Sequence, residues 1–394
     1  MMNVVFSYGM GANGTAALLR LLFEPATRPP ELADDLSNLI VITAQTGDEF
    51  LDTAVMVEQH IYPLLAARRV RTVQVARAGH YERDGIVVLD DTREPILCLT
   101  SGAYALLEEM TSTATVPQSK DRKHSQKFKG WVIDQWLKTN IGDEPYLHVM
   151  GYDVSEPDRV AGDLALGLPN KIPWYPLVDW GWDWDACERY IFARLGVRWK
   201  RSHCVECPFA FSVTKGGRAR TIPRLLAHPH QAMDALTMEY LAVACNPKQG
   251  LIAGKEQLYD LIADWPGGPI LLKLFHHHLD AAEWAVYDVQ RGFGRKPDDP
   301  MKRGQPARSM RPLITGSRTD MLAHLERAAG LLGRRLETDG RHWRVWWRRR
   351  GIYFPTVEHL LTAAPALAQH KTNSSFPKLW REGLKATRQL ELAI

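Results

Sequence analysis

The chain begins with an apolar run, a glycine-rich loop and a second apolar series, and this order constrains the fold more than any other feature. The run Val4–Phe6 predicts a buried strand, and the apolar residues between 16 and 22 predict an amphipathic helix. The loop between them, Ser7–Thr15, directs its backbone N–H groups and the positive end of the helix dipole at one point. Such a point suits a phosphate.

The loop sequence excludes two familiar phosphate-binding motifs. It lacks the Gly-Lys-[Ser/Thr] of a Walker A loop and the G-x-G-x-x-G of a dinucleotide-binding turn. Its glycines have no Cβ, so an anion can approach the backbone closely. We expect the phosphates to contact Ser7, Tyr8, Gly9, Gly11, Asn13, Gly14 and Thr15. The alternative is a glycine turn that serves packing alone.

Further segments follow the loop in a regular order across residues 1 to about 215. They are Thr46–Thr53, Arg122–Lys129, Gly151–Arg159, Trp174–Trp180 and Ser202–Phe209. Together with the loop, they resemble motifs of the PP-loop superfamily, which contains the N-type ATP pyrophosphatases and the phosphoadenosine-phosphosulfate reductases. The matched patterns are Thr-Gly-x-Glu-Phe-x-Glu-Thr, Arg-x-Cys-Thr-x-x-Phe-Lys, Gly-x-x-x-x-Glu-x-x-Arg, Tyr-Pro-Leu-x-x-Trp and Cys-x-x-Cys-Pro-Phe.

The resemblance implies an α/β fold, with a doubly wound, mostly parallel sheet and the ligand at the carboxyl ends of its strands. It implies ATP or another adenine nucleotide as cofactor, with Thr46 and Gly47 near the adenosine. In this superfamily an acceptor attacks the α-phosphate and pyrophosphate leaves, which requires positive charge and usually Mg²⁺. The candidates for that charge are Lys127, Lys129 and Arg159.

The loop departs from the family pattern at two positions. Asn13 stands where the pyrophosphatase loop has Asp, and Gly14 stands where it usually has Ser. An amide cannot offer the negative charge of a carboxylate to a cation, and nucleotide binding tolerates this loss more easily than catalysis does. A catalytically inactive protein that senses a nucleotide or binds nucleic acid on the same fold is therefore the alternative to an enzyme.

A Cys-x-x-Cys pair and a histidine form the candidate metal site. His124 stands at a cysteine position of the family, and Cys204 and Cys207 have a spacing that suits a tetrahedral metal. Members of this branch use such cysteines for zinc or an iron–sulfur cluster, and histidine in place of one cysteine favours zinc. The alternative is a pair of thiols that closes a turn before Pro208.

Length and composition indicate an ordinary globular protein of two or three domains, with 394 residues and a net charge of +4. Five cysteines, no secretory segment and no apolar run of membrane-spanning length favour a reducing cytoplasm and no membrane partner. We predict a PP-loop-like domain over 1–215, a helical region over 216–290, a basic linker over 291–318 and a small basic α+β module over 319–394.

Basic residues concentrate in the second half of the chain. Over 291–318 they alternate with glycine and proline, which favours a linker. The run Arg341–Arg350 interleaves arginine with tryptophan, so one segment could neutralise phosphates and stack on bases. We therefore predict contact with nucleic acid through 291–350. The alternative is a strand whose tryptophans fill a small core and whose arginines are solvated.

The motifs and the basic second half together favour one function. It is that of an adenine-nucleotide-using enzyme of the phosphosulfate-reductase-like branch, which acts by adenylation or sulfur transfer. The basic module favours a nucleic acid or a nucleotide as the acceptor.

Overall fold

The computed structural model describes residues 1–118, 123–212 and 216–392. The strands are β1 (Asn3–Ser7), β2 (Leu39–Gln45), β3 (Arg71–Arg77), β4 (Ile86–Thr92), β5 (Tyr146–Met150), β6 (Lys171–Trp174), β7 (Trp284–Lys296), β8 (Asp299–Gly316), β9 (Leu336–Thr338), β10 (Trp343–Arg348), β11 (Thr356–Pro365) and β12 (Lys371–Thr372). The helices are α1 (Ala12–Phe23), α2 (Leu51–His60), α3 (Tyr62–Ala67), α4 (Leu106–Ser112), α5 (Lys123–Ser125), α6 (Trp131–Asn140), α7 (Pro157–Leu164), α8 (Pro176–Asp179), α9 (Trp184–Leu195), α10 (Gly217–Ala227), α11 (Pro229–Cys245), α12 (Leu258–Ala263), α13 (Gly268–Ala281), α14 (Arg318–Leu331) and α15 (Phe376–Leu392). None of the helices in these ranges combines the length and the apolarity needed to cross a membrane.

The chain divides into two compact units. The first comprises Met1–Leu106 and Lys120–Cys207, and the second comprises Leu107–Ser119 and Pro208–Ile394. The first unit therefore ends at Cys207, whereas the sequence places the boundary near 215.

A mixed six-stranded sheet forms the centre of the first unit, in the order β4-β3-β2-β1-β5-β6. Neighbouring strands are parallel, except that β4 runs antiparallel to β3 at one edge. This arrangement confirms the predicted α/β class and the mostly parallel sheet.

Strand β1 is buried on both faces of this sheet. Val4, Val5 and Phe6 are all fully buried. Val4 and Phe6 belong to an apolar cluster with α1 and α9, whereas Val5 belongs to a second cluster that contains Trp136 of α6. A strand covered by helices on both faces needs apolar residues at every position, which explains the continuous run in the sequence.

The order of the strands reverses at β1. The chain places β2 and β3 on one side of β1 and later places β5 and β6 on the other side. In open α/β sheets such a reversal opens a crevice at the carboxyl ends of the two central strands, where ligands bind. The loop Ser7–Thr15 leaves β1 at this end.

The second unit contains an antiparallel six-stranded sheet in the order β12-β8-β7-β11-β10-β9. Over 216–290, which the sequence predicts to be helical, the structure has the helices α10 to α13, and the last of them ends at Ala281. Strand β7 then begins at Trp284. Within the helical part, the carboxylate of Glu239 on α11 accepts backbone N–H groups of Leu251, Leu258 and Tyr259 at 2.8, 2.8 and 3.2 Å.

The predicted linker over 291–318 is wrong, because most of these residues lie in the β7–β8 hairpin, where Arg291 pairs with Arg308. Glycine here serves close packing: a Cβ on Gly292 would lie 3.0 Å from the backbone of Leu379 in α15. Proline is tolerated in β8 because the short β12 covers only two of its positions. Composition alone does not distinguish a glycine that packs closely from one that bends a loop.

We expect Gly151→Ala to destabilise the first unit. A Cβ at Gly151 would lie 2.9 Å from Cα and N of Gly14, which are backbone atoms that cannot move aside. Overpacking of this kind costs about 1–3 kcal/mol in the free energy of unfolding. The matched control is Gly162→Ala on α7, where a Cβ meets no atom within 4 Å. Urea unfolding followed by circular dichroism measures both variants, and equal stability of the two would contradict the steric argument.

Candidate functional site

The loop Ser7–Thr15 combines an open helix end with an unusual backbone. Gly11 occupies the N-cap position of α1 and offers no side chain to the N–H groups of the first helical turn. Met10, just before it, has a left-handed φ of 59°, a conformation that non-glycine residues adopt at a cost. The loop is thus shaped so that the first N–H groups of α1 lack a local acceptor.

Space remains beside the loop where a ligand would lie. A Cβ on Gly9 would meet no atom within 4 Å, and a Cβ on Gly11 would meet only Cβ of Ser202 at 3.9 Å. Gly14 differs, because a Cβ there would lie 3.5 Å from Cδ2 of the Tyr8 ring. Gly9 and Gly11 therefore face the room that a phosphate needs, whereas Gly14 serves packing.

Side chains hold the loop from within. Tyr8 and Thr15 are buried and their hydroxyl oxygens lie 2.9 Å apart, so the structure places both inside the loop. Ser7 Oγ lies 2.7 Å from Nε2 of His148 in the neighbouring β5. Outside the loop, Trp199 Nε1 donates to Met10 O at 2.8 Å. These contacts fix the backbone before any ligand binds.

Asn13 faces a carboxylate at the end of β5. Its Nδ2 donates to Asp153 Oδ2 at 2.7 Å, while Asp153 Oδ1 accepts from Ser155 N at 2.8 Å. Within the described part of the chain, Asn13 Oδ1 is buried and has no hydrogen-bond partner. The carboxylate that the loop sequence lacks is therefore present in the segment after the adjacent strand β5, beside an amide oxygen that still needs a donor or a cation.

Lys129, one of the three predicted cations, lies among charged and titratable groups from other motifs. Burial alone would lower the pKa of Lys129, but Cys204, Glu49 and Cys207 outweigh it, and the net effect is a raised pKa. Arg159 is another charge close enough to Lys129 to affect its titration. The structure thus brings together residues from four of the sequence motifs.

The two other predicted charges have partners. Arg159 pairs with Glu156 at 2.7 Å, and its guanidinium lies 4.1 Å from the ring centroid of Tyr152. The backbone carbonyl of Lys127 accepts from Arg77 at 3.4 Å, and its Nζ lies 5.8 Å from the ring centroid of Phe128. Arg122, the first residue of this motif, lies outside the described residues.

Thr46 and Gly47 follow β2 and meet the cysteine segment. Thr46 Oγ1 lies 2.9 Å from Cys204 Sγ, and Val205 N donates to Asp48 O at 3.0 Å. Gly47 has a φ of 95°, and a Cβ there would lie 2.5 Å from Cβ of Ala105. The backbone conformation and the close approach of Ala105 therefore require glycine at position 47, whether or not this residue contacts a ligand.

The candidate metal ligands are only partly assembled. Cys207 N donates to Cys204 O at 3.1 Å, which is the turn expected of the alternative without a metal. Among the residues that the structure describes, no group of three or more His, Cys, Asp or Glu side chains is arranged to hold a metal ion. Burial raises the pKa of Cys204, so its thiol would have to lose a proton before binding zinc. A zinc or iron–sulfur site at His124, Cys204 and Cys207 stays a prediction.

Burial also keeps three other thiols protonated. It raises the pKa of Cys98 to about 11, that of Cys187 to about 12 and that of Cys245 to about 11. Because the thiolate is the nucleophile, these cysteines and Cys204 are poor nucleophiles near neutral pH.

Sequence reasoning missed four residues that shape the site. Asp153 and His148 belong to β5 and the loop after it, and Ser202 lies 2.7 Å from Gly9 O. Glu49 accepts from Thr53 Oγ1 at 3.1 Å and from His203 N at 2.8 Å. Three of them lie within segments matched to family motifs, and a polar residue at the carboxyl end of a strand was the available indication for Asp153.

Comparison with known proteins adds no assignment. No family model, no curated protein and no solved structure matches the chain. The resemblance therefore rests on the motifs, and the function rests on the geometry of this site.

We expect His148 to make the first unit sensitive to acid. Burial lowers the pKa of His148 to about 3, so the folded protein keeps a neutral imidazole while the unfolded chain binds a proton below about pH 6.5. The stability that this neutral form contributes is present above pH 6.5 and is lost as pH falls toward 3. Between pH 7.5 and 5.0, the wild type should lose about 2 kcal/mol relative to His148→Gln. Urea unfolding at both pH values checks this, and a constant difference between the two proteins would exclude it.

Proposed function

We propose that the first unit is a PP-loop domain that binds ATP or another adenine nucleotide and adenylates an acceptor. The observation that carries this proposal is the placement of Ser7–Thr15 where the strand order reverses, with open space at Gly9 and Gly11. This is where α/β sheets bind nucleotides, and the first-turn N–H groups of α1 suit phosphate oxygens. Thr46 and Gly47 would lie toward the adenosine, as the family resemblance implies.

The residues present fit a nucleotide with its Mg²⁺. Asn13 Oδ1 is an orphaned buried oxygen, and Asp153 places a carboxylate 2.7 Å from the same amide. Oxygen ligands of this kind are those that Mg²⁺ prefers. Asp153 thus compensates for the missing aspartate of the loop, which favours an enzyme over a protein that has lost turnover.

The chemistry supported best is adenylation and not sulfur transfer through a protein thiol. ATP would supply an electrophilic α-phosphate, and the bond from this phosphorus to the bridging oxygen would break so that pyrophosphate leaves. The acceptor would supply the attacking atom, and the raised pKa values of the buried thiols Cys204, Cys98 and Cys187 make these three poor nucleophiles. Lys129 and Arg159 would offset negative charge on the phosphate oxygens, and their mutual electrostatic effect supports a shared location. A nucleic acid or nucleotide acceptor is favoured by the basic second unit.

Replacing Gly11 by valine should abolish binding of ATP and AMP. The variant is expected to fold, because the nearest atom to a Cβ is 3.9 Å away, but the side chain would occupy the space of the phosphates. Isothermal titration calorimetry measures the affinity, and circular dichroism confirms the fold. Gly162→Val on α7 is the matched control and should bind normally, since its Cβ also meets open space. Unchanged affinity of the Gly11 variant would remove the phosphate site from this loop.

Exchanging the polar groups of Asn13 and Asp153 tests their partnership. Asn13→Asp alone places a second carboxylate next to Asp153, where Asn13 Nδ2 now donates at 2.7 Å. Asp153→Asn alone removes the negative charge of the carboxylate. Each single variant should lower ATP affinity about tenfold or more, while the double variant should recover most of it, with a coupling of about 0.5–3 kcal/mol.

Calorimetry and pyrophosphate release, measured on all four proteins, provide the readouts. Losses that simply add in the double variant would exclude the partnership. Nucleotide binding by the wild type without pyrophosphate release, over a panel of nucleic-acid acceptors, would favour the sensing alternative.

A further inference from the structure

Trp347 in the second unit is exposed where strand alternation would bury it. Val345 is fully buried, but the register between β10 and β11 shifts between Trp346 and Arg348, and Trp347 is left 50% exposed. The alternative of a strand whose tryptophans fill a small core is therefore wrong for Trp347. A large indole remains on the surface of an otherwise well-packed strand.

Neighbouring side chains hold this indole in one orientation. The ring of His359 lies against it at 5.0 Å between centroids and 12° between planes. His359 Nε2 is in turn 2.6 Å from Asp288 Oδ1, and Arg311 Nε donates to Asp288 Oδ2 at 3.1 Å. Because one face of Trp347 is stacked and its supporting ring is fixed, the exposed side forms a preordered stacking surface.

The C-terminal helix α15 lies next to this stacking surface. The ring of Trp380 lies edge-on to the ring of His359, with 6.0 Å between the centroids and 83° between the planes. The helix lies close on the sheet, since a Cβ on Gly383 would lie 2.7 Å from Cγ1 of Val357. One side of α15 is therefore committed to packing, and its opposite side faces solvent.

That exposed side is basic. Four exposed residues follow one another at spacings of three and four, which places them on one side of the helix about 5–6 Å apart. They are Lys378, Arg381, Lys385 and Arg388. None of the four forms an ion pair with any residue of the described ranges, and Glu382 is the one carboxylate among the described side chains of α15.

Several arginines of the 291–350 segment, by contrast, act within the fold. Arg344 is buried and donates to the carbonyls of Val243 and Ala244 at 2.8 and 3.0 Å. Arg291 pairs with Glu358 in the interior. These residues cannot bind a ligand without disrupting the unit, so the basic surface of this unit is formed by other residues.

We propose that single-stranded nucleic acid binds across Trp347 and the basic side of α15. The four cations would neutralise phosphates, and Trp347 would stack on an unpaired base, the combination that single-strand binding requires. A duplex would not satisfy the site, because its bases offer no free faces. A lipid surface is disfavoured because the apolar side of α15 is packed on the sheet. The proposal does not depend on the nucleotide site, since all of these residues belong to the second unit.

Fluorescence anisotropy of the full chain with a labelled oligonucleotide of about 12 nucleotides, as DNA and as RNA, tests the proposal. Trp347→Ala should weaken binding roughly 5- to 150-fold, and Trp347→Phe, which retains an aromatic face, should weaken it less than about fivefold. The phenylalanine variant also keeps the test informative if the alanine variant is unstable.

The contribution of α15 is tested by a charge-matched pair of variants. Changing Lys378, Arg381, Lys385 and Arg388 to Gln should reduce the slope of log affinity against log salt by about 3, or about 0.7 for each phosphate contact. The control variant changes four exposed cations near the β7–β8 turn to Gln and should alter that slope by less than about 1. Its positions are Arg295, Lys296, Lys302 and Arg303.

Three outcomes would overturn the proposal. They are equal loss in the two quadruple variants, unchanged affinity of Trp347→Ala, and binding of a duplex of the same length as tightly as the single strand. Binding to phosphatidylserine vesicles without binding to the oligonucleotide would also overturn it and would identify a membrane surface instead.

Discussion

The burial of β1 on both faces and its pairing on both edges determine the rest of the first unit. Val4, Val5 and Phe6 leave no exposed position, so helices must cover both faces of the sheet. Strands β2 and β5 then occupy the two edges of β1, and the loop that follows it emerges between them. The position of the candidate site therefore follows from the position of β1, and Glu49 and Asp153 come from the segments that follow the flanking strands β2 and β5.

The loop is assembled by contacts between distant parts of the chain. Gly151 approaches the backbone of Gly14 so closely that a Cβ has no room, and this contact places Asp153 against Asn13. The carboxylate of Asp153, which follows β5, thereby contacts a loop whose own sequence has an amide at this position. Charge at this kind of site depends on which side chains meet, and a substitution in one motif is understood only together with its neighbour in space.

Electrostatics in the second unit separate structural arginines from those available to a ligand. Arg344 and Arg291 satisfy interior carbonyl and carboxylate groups, because a buried guanidinium must be paired. The cations of α15 form no ion pairs within the described residues and face solvent, and Arg381 Nε donates to the exposed carbonyl of Pro377 at 3.2 Å. Counting basic residues along the chain therefore does not separate the two groups, since composition does not show which way a side chain points.

The sequence by itself determined the buried first strand, the glycine loop, the α/β class and the helices of the central region, because each depends on local periodicity and on glycine chemistry. It did not predict the β7–β8 hairpin: Gly292 packs under α15, and its pairing partners are distant in the chain. It also did not predict the roles of Asp153 and His148 or the exposure of Trp347. The partner of Asn13 lies 140 positions away, and the exposure of Trp347 follows from a register shift against β11. Such contacts depend on free energies of packing and pairing between distant segments, which only the tertiary structure decides.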